Sequence, residues 1–149
     1  MQITRAAEYA IRGVLHLCSQ PEGSVCLLNE ISKQQGIPPS FLSKIFQNLA
    51  KAGFVSSARG TGGGFMLLKD PGDITLLDIV EVIEGQISLN VCLTNGSVCG
   101  NRPTCAVHGV WKDAQKYMID LLRENDFASL VEANHKLAEE VSREPHPGD

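Results

Sequence analysis

Apolar residues recur at helical spacing in several stretches of the chain. In the first, Ala7, Ala10, Ile11, Val14, Leu15 and Cys18 share one face, which predicts a helix capped by Thr4 and running to about Ser19. Pro21, Glu22 and Gly23 break it. A short helix follows, with Asn29 as its cap and Gly36 at its end. Ile37-Pro38-Pro39 leads to a third helix, capped by Ser40 and reading Phe41 to Ala52, with Gly53 as its stop. Its apolar positions Leu42, Ile45, Phe46 and Leu49 follow i, i+3, i+4, i+7, which leaves Ser43, Lys44 and Gln47 on the opposite face.

The pattern then turns to short extended runs. Residues 54–59 read as a strand, Gly60-Thr61-Gly62-Gly63-Gly64 as a turn, and Phe65-Met66-Leu67-Leu68 as the returning strand. Three helices and a hairpin in this order predict a winged helix-turn-helix. Thr75 and Asp78 have capping-box spacing and open another helix, whose buried side is Leu76, Leu77, Ile79, Val80 and Ile83 and whose end is Gly85. Residues 86–102 show no periodicity. From Pro103 a long helix is expected to about Glu124, with the stripe Val107, Val110, Trp111, Ala114, Met118, Leu121 and Leu122. The end, Ser142 to Asp149, is expected to fray. The expected class is mainly α with a small β-hairpin wing (α+β).

Length and composition narrow this further. At 149 residues the chain is long enough for one domain with a small appendage. No apolar run approaches the ~18 residues that cross a bilayer, and MQITRAAEYAIRG lacks a secretory apolar core. The cytoplasm is the expected compartment. The net charge of −4 argues against a polyanion until the chain is divided. Residues 1–70 hold seven Lys and Arg against four Asp and Glu, and residues 71–149 hold six against thirteen. Only the front half suits nucleic acid. Enzymatic signatures are missing: the glycine run lacks the Lys-Ser/Thr of a phosphate loop, and there is no Ser/His/Asp set.

The chemistry concentrates in the aperiodic stretch and the helix after it. Cys92, Cys99, Cys105 and His108 form the pattern Cys-x6-Cys-x5-Cys-x2-His. Thiolates and imidazole are ligands of zinc and of iron–sulfur clusters. Cys105 and His108 are three apart at a helix start, where the dipole favours a thiolate. The spacing is not the paired Cys-x2-Cys of zinc ribbons, which favours a cluster but leaves zinc open. Cys18 and Cys26 lie in apolar runs and read as buried thiols, while His16, His135 and His146 belong to no constellation.

These motifs jointly resemble one family. They are Ile3-Thr4-Arg5-Ala6-Ala7-Glu8-Tyr9-Ala10, Ile31-Ser32-Lys33-Gln34-Gln35-Gly36-Ile37, Ser40-Phe41-Leu42, the run from Val55 to Phe65, and three cysteines after Glu84-Gly85. Over residues 1–140 the chain resembles the iron–sulfur winged-helix transcription regulators of the IscR and NsrR kind. The resemblance implies a homodimer with the long helix as its stem, bound to a double-stranded DNA operator. It places Ser40, Ser43 and Lys44 where these regulators read the major groove, and Arg59, with Gly60 and Gly62, where the wing reaches the minor groove. IscR-type regulators carry Glu and Gln at the positions of Ser43 and Lys44, so their operator does not carry over.

The resemblance also implies the ligands. Cys92, Cys99 and Cys105 match the family's three cysteines, and His108 matches the histidine that completes a [2Fe-2S] set. In NsrR-type regulators a [4Fe-4S] cluster instead takes an acidic residue, which here is Glu8 of the partner subunit. Some relatives hold no cluster, so a cysteine thiol switch or zinc on the same fold stands as the alternative. The resulting division is a DNA-binding domain over 1–85, a cluster-binding loop over 86–102, dimerisation helices over 103–141, and a flexible tail over 142–149.

Overall fold

Helix α1, Arg5–Cys18, is the spine of the fold. The computed structural model describes residues 2–58, 63–94 and 99–144. Thr4 caps α1 as expected, its Oγ1 accepting from Ala7 N at 3.3 Å. Strand β1, Cys26–Leu27, runs directly into α2, Leu28–Gln35. Extended Leu27 is therefore the N-cap of α2, and Asn29, expected to cap it, lies inside the first turn. Gly36 ends α2 with φ of 64°, the left-handed geometry that glycine adopts without a Cβ penalty.

Helix α3, Pro39–Lys51, starts two residues earlier than expected. Pro39 occupies the first helical position, where its fixed φ suits the helix and its missing N–H costs nothing. Ser40 is thus in the first turn rather than at the cap. Strands β2, Val55–Ala58, and β3, Gly64–Leu67, form the expected hairpin, paired from Val55↔Leu67 to Ala58↔Gly64. The sheet has a third antiparallel strand that the pattern did not reveal, because β1 pairs its two residues with Phe65 and Gly64. Two residues are too few to show an alternation.

Helix α4, Leu76–Glu84, has the full capping box of Thr75 and Asp78. The long helix α5, Ala106–Glu124, begins later than the expected Pro103. Pro103 lies in a 3-10 turn, Arg102–Thr104, and extended Cys105 is the cap. Helix α6 is Phe127–Arg143, so the expected tail starts while the chain is still helical, and residues 145–149 lie outside the described ones.

The core joins α1 to α3 through Ala10, Val14, Leu42, Phe46 and Leu49, all fully buried. Ile74 and Phe127 are buried in the same core, so α6 starts within it. Two backbone bonds fix that junction: Leu76 N donates to Asn125 O, and Phe127 N to Ile74 O. Met118, Ile119 and Leu122 of α5 pack on Leu77, Val80 and Ile87. The rest of the α5 stripe, Val107, Val110, Trp111, Ala114 and Leu121, is exposed.

Candidate nucleic-acid interface and metal centre

Helices α2 and α3 meet across Gly36-Ile37-Pro38. Ile37 is buried and accepts from Ser32 Oγ through its carbonyl at 2.5 Å, which holds the turn. Helix α3 then directs Leu42, Ile45, Phe46 and Leu49 inward. Ser40 and Lys44 lie exposed on the outer side, and Ser43 is half-buried beside Gln47, whose Nε2 donates to Ser43 Oγ at 3.5 Å. The first turn of α3 has no acidic residue and no side-chain cap. Its N–H groups therefore suit a phosphate oxygen.

The wing is fixed at its base. Phe65 on β3 packs against Phe46 of α3, which ties the hairpin to that helix. Gly64 lies so close to β1 that a Cβ there would stand 2.6 Å from Cys26 O. Arg59, Gly60 and Gly62, the expected wing contacts, lie outside the described residues.

The four candidate ligands are distributed over two turns and a helix start. Cys92 is half-buried in the 3-10 turn Val91–Leu93, its Sγ donating to Asn90 Oδ1 at 2.9 Å. His108, in the first turn of α5, presents Nδ1 at 3.4 Å from Cys92 Sγ. Arg102 Nε donates to His108 Nε2 at 3.4 Å. Gln115, two turns further along the same face of α5, accepts from Leu89 N at 2.9 Å and pins the loop to the helix. The structure thus brings Cys92 and His108 together. Cys105 is exposed at the α5 cap, and Cys99 is exposed beside residues 95–98, which lie outside the described ones. Among the described residues no three ligating side chains converge on one point, and no disulfide joins any of the five cysteines. The donors nevertheless fit a thiophilic centre: three thiols and an imidazole lie in one short segment, two of them already in contact.

Glu8 sits in the first turn of α1, exposed and 3.9 Å from Arg12 within the same chain. Sequence reasoning missed the supporting groups Asn90, Arg102 and Gln115. Polar residues flanking the cysteines were the available signal. It also missed Glu84, which accepts from Thr4 N at 2.9 Å and so joins the end of α4, just before the cysteine segment, to the start of α1.

Comparison with known proteins agrees with this architecture. The family model described as "Rrf2: Iron-dependent Transcriptional regulator" matches residues 3–133. The HTH-type transcriptional regulator IscR of Citrobacter koseri is 31% identical over 149 residues, spanning 100% of this chain and 90% of that protein. The protein of the same name from Salmonella newport is 31% identical, with 100% and 89% covered. Among solved structures, IscR of T. potens superposes with a TM-score of 0.73 at 24% identity, over 97% of this chain and 93% of that one. CymR, the global cysteine regulator of B. subtilis, superposes at 0.74 and 21% identity, over 89% and 98%. The last two likenesses concern the fold. No helix among the described residues is long and apolar enough to cross a membrane.

Proposed function

The chain belongs to the Rrf2 family of winged-helix transcriptional regulators, DNA-binding regulators rather than enzymes, and from that premise we propose that it is a homodimeric sensor controlled by an iron–sulfur cluster. In this reading Ser40, Ser43 and Lys44 meet the major groove and Arg59, Gly60 and Gly62 form the wing contact. Cys92, Cys99, Cys105 and His108 hold a [2Fe-2S] cluster. A [4Fe-4S] cluster with Glu8 of the partner subunit as fourth ligand is the variant. The carrying observation is the 3.4 Å approach of His108 Nδ1 to Cys92 Sγ, because it joins the loop and the helix that bear the other two cysteines.

When bound, the cluster supplies a centre sensitive to iron supply, redox state and nitric oxide. The residues of the chain do the coupling. Ligation at Cys92 and His108 would fix residues 92–108 onto α5. The segment leading to Cys92 leaves α4 at Gly85, directly after Glu84, which holds Thr4 at the start of α1. Order in the cysteine segment is thereby linked to the helix that carries the reading unit. DNA affinity changes by the difference in stability between the ordered and unordered forms. The exposed stripe Val107, Val110, Trp111 and Leu121 supplies an apolar face for a second copy.

The second reading, a cluster-free thiol switch or zinc site, is favoured by the exposure of Cys99 and Cys105 beside a half-buried Cys92. An absorption spectrum of anaerobically purified protein, with iron and acid-labile sulfide assayed on the same sample, separates the two. Equal iron and sulfide at two per chain support the His108 set, and four per chain support Glu8. Colourless, iron-free protein after attempted reconstitution overturns the cluster reading.

A further inference from the structure

Two histidines that stand alone in the sequence meet at one cavity. A cleft of about 330 Å³ lies between α1, the end of α2 and α6, and both His16 and His135 line it. His16 interrupts the buried side of α1 and is one of only two buried polar residues among those described. The other, Ser32, has a structural task in the turn after α2. His16 has only a long contact, 3.4 Å from Nδ1 to the Gln35 amide. The ring therefore lines the cleft with little of its bonding capacity committed to Gln35.

The rest of the wall defines what would fit. Arg12 is the one permanent charge lining the cleft, and no Asp or Glu lines it. Glu8 lies 3.9 Å from Arg12, and Glu30 acts on His16 electrostatically, yet neither is part of the wall. Arg12 donates through one terminal nitrogen to the Gln35 carbonyl and lies over the Tyr9 ring, so its remaining N–H groups, with Asn134 and the two histidines, are the donors left to a ligand, while Leu15 and Val131 offer an apolar strip. A cation is opposed by Arg12. A single negative charge is matched by it in competition with the exposed Glu8, and a short carbon chain is matched by the strip. The volume is at the small end of ligand pockets, which run from ~300 Å³ upward.

We propose that this cleft binds a small organic carboxylate, held through Arg12 and His135 with its carbon chain against Leu15 and Val131. The site bridges the reading half of the chain and α6, and it involves neither the cysteine segment nor the DNA face. Its test therefore stands or falls independently of the cluster reading.

The full-length protein, labelled with ¹⁵N, is titrated with butyrate and separately with inorganic phosphate at fixed pH, and the histidine ring resonances are followed. The His16 and His135 signals should move saturably with butyrate, at a dissociation constant on the order of millimolar, as suits so small a ligand. Phosphate should bind about tenfold more weakly for want of the apolar contact. His135→Ala, at an exposed position, should weaken butyrate about tenfold without shifting the thermal midpoint. Shifts that grow without saturation overturn the site. Equal affinity for phosphate overturns the carboxylate class, and unchanged binding by His135→Ala overturns the assigned contacts.

Discussion

Phe46 of α3 and Phe65 of β3 lie with ring centroids 4.8 Å apart and planes inclined by 33°. Phe46 is fully buried, and Phe65 packs on the edge of the same core. The pair makes α3 and the wing one mechanical unit, because β3 is hydrogen-bonded to both other strands. Phe65→Ala should cost about 2–4 kcal/mol, somewhat less than a fully buried Phe→Ala. Urea unfolding checks this, and a loss below about 0.5 kcal/mol would show that the contact carries no packing energy. The same variant should bind duplex DNA less tightly even where it is fully folded.

Lys44 is exposed on the outer side of α3, near a helix start that has no acidic residue in its first turn. Lys44→Ala should lower affinity for duplex DNA and reduce the slope of log affinity against log salt by about 1. Fluorescence anisotropy over a range of salt concentrations measures both. A slope equal to that of the unmodified protein would place Lys44 away from the phosphates.

Much of the winged helix was legible because its signals are local. Thr4, Gly36, Thr75 with Asp78, and Gly85 act within one or two turns, and the i, i+3, i+4, i+7 spacing of Leu42, Ile45, Phe46 and Leu49 marks the core side of α3. What escaped depends on distant partners. Strand β1 exists because Gly64 lets Cys26 approach, with a hypothetical Cβ only 2.6 Å from its carbonyl oxygen. The glycine run was visible, but the role of its last member required the neighbouring strand. The cysteine spacing named a ligand set, yet the pairing of Cys92 with His108 depends on how the loop crosses α5, where Gln115 and Asn90 hold it. The shared cleft of His16 and His135 needed α6 to fold back on α1.

His16 gives a pH dependence with a definite sign. Burial lowers its pKa from the ordinary 6.5, and the charge of Glu30 opposes this in part. The unfolded chain therefore binds the proton more readily than the native one. Stability from this group is complete above pH 6.5 and is lost as pH falls through the lowered value. The thermal midpoint should drop as pH falls below about 6.5, and His16→Gln should flatten that drop relative to the unmodified protein. Parallel curves for the two proteins would remove His16 as the source.

The five cysteines should separate by reactivity, because burial and solvent contact differ sharply among them. Burial pushes the Cys18 thiol up to about 12, with the charge of Asp70 adding to the effect, and burial also raises Cys26. Both remain protonated at pH 8 and lie within the winged-helix core or at its edge. Cys99 and Cys105 are exposed, and Cys92 is half-buried against His108. Brief treatment of metal-free protein with iodoacetamide should therefore label Cys99 and Cys105 first and Cys92 more slowly. Cys18 and Cys26 should react only after unfolding, and peptide mass spectrometry reads each site. Cluster assembly should protect Cys92, Cys99 and Cys105 together, since ligation engages all three at once. Protection of Cys92 alone would mean that its environment comes from His108 and Asn90 without the other two thiols, and the shared ligand set would fail.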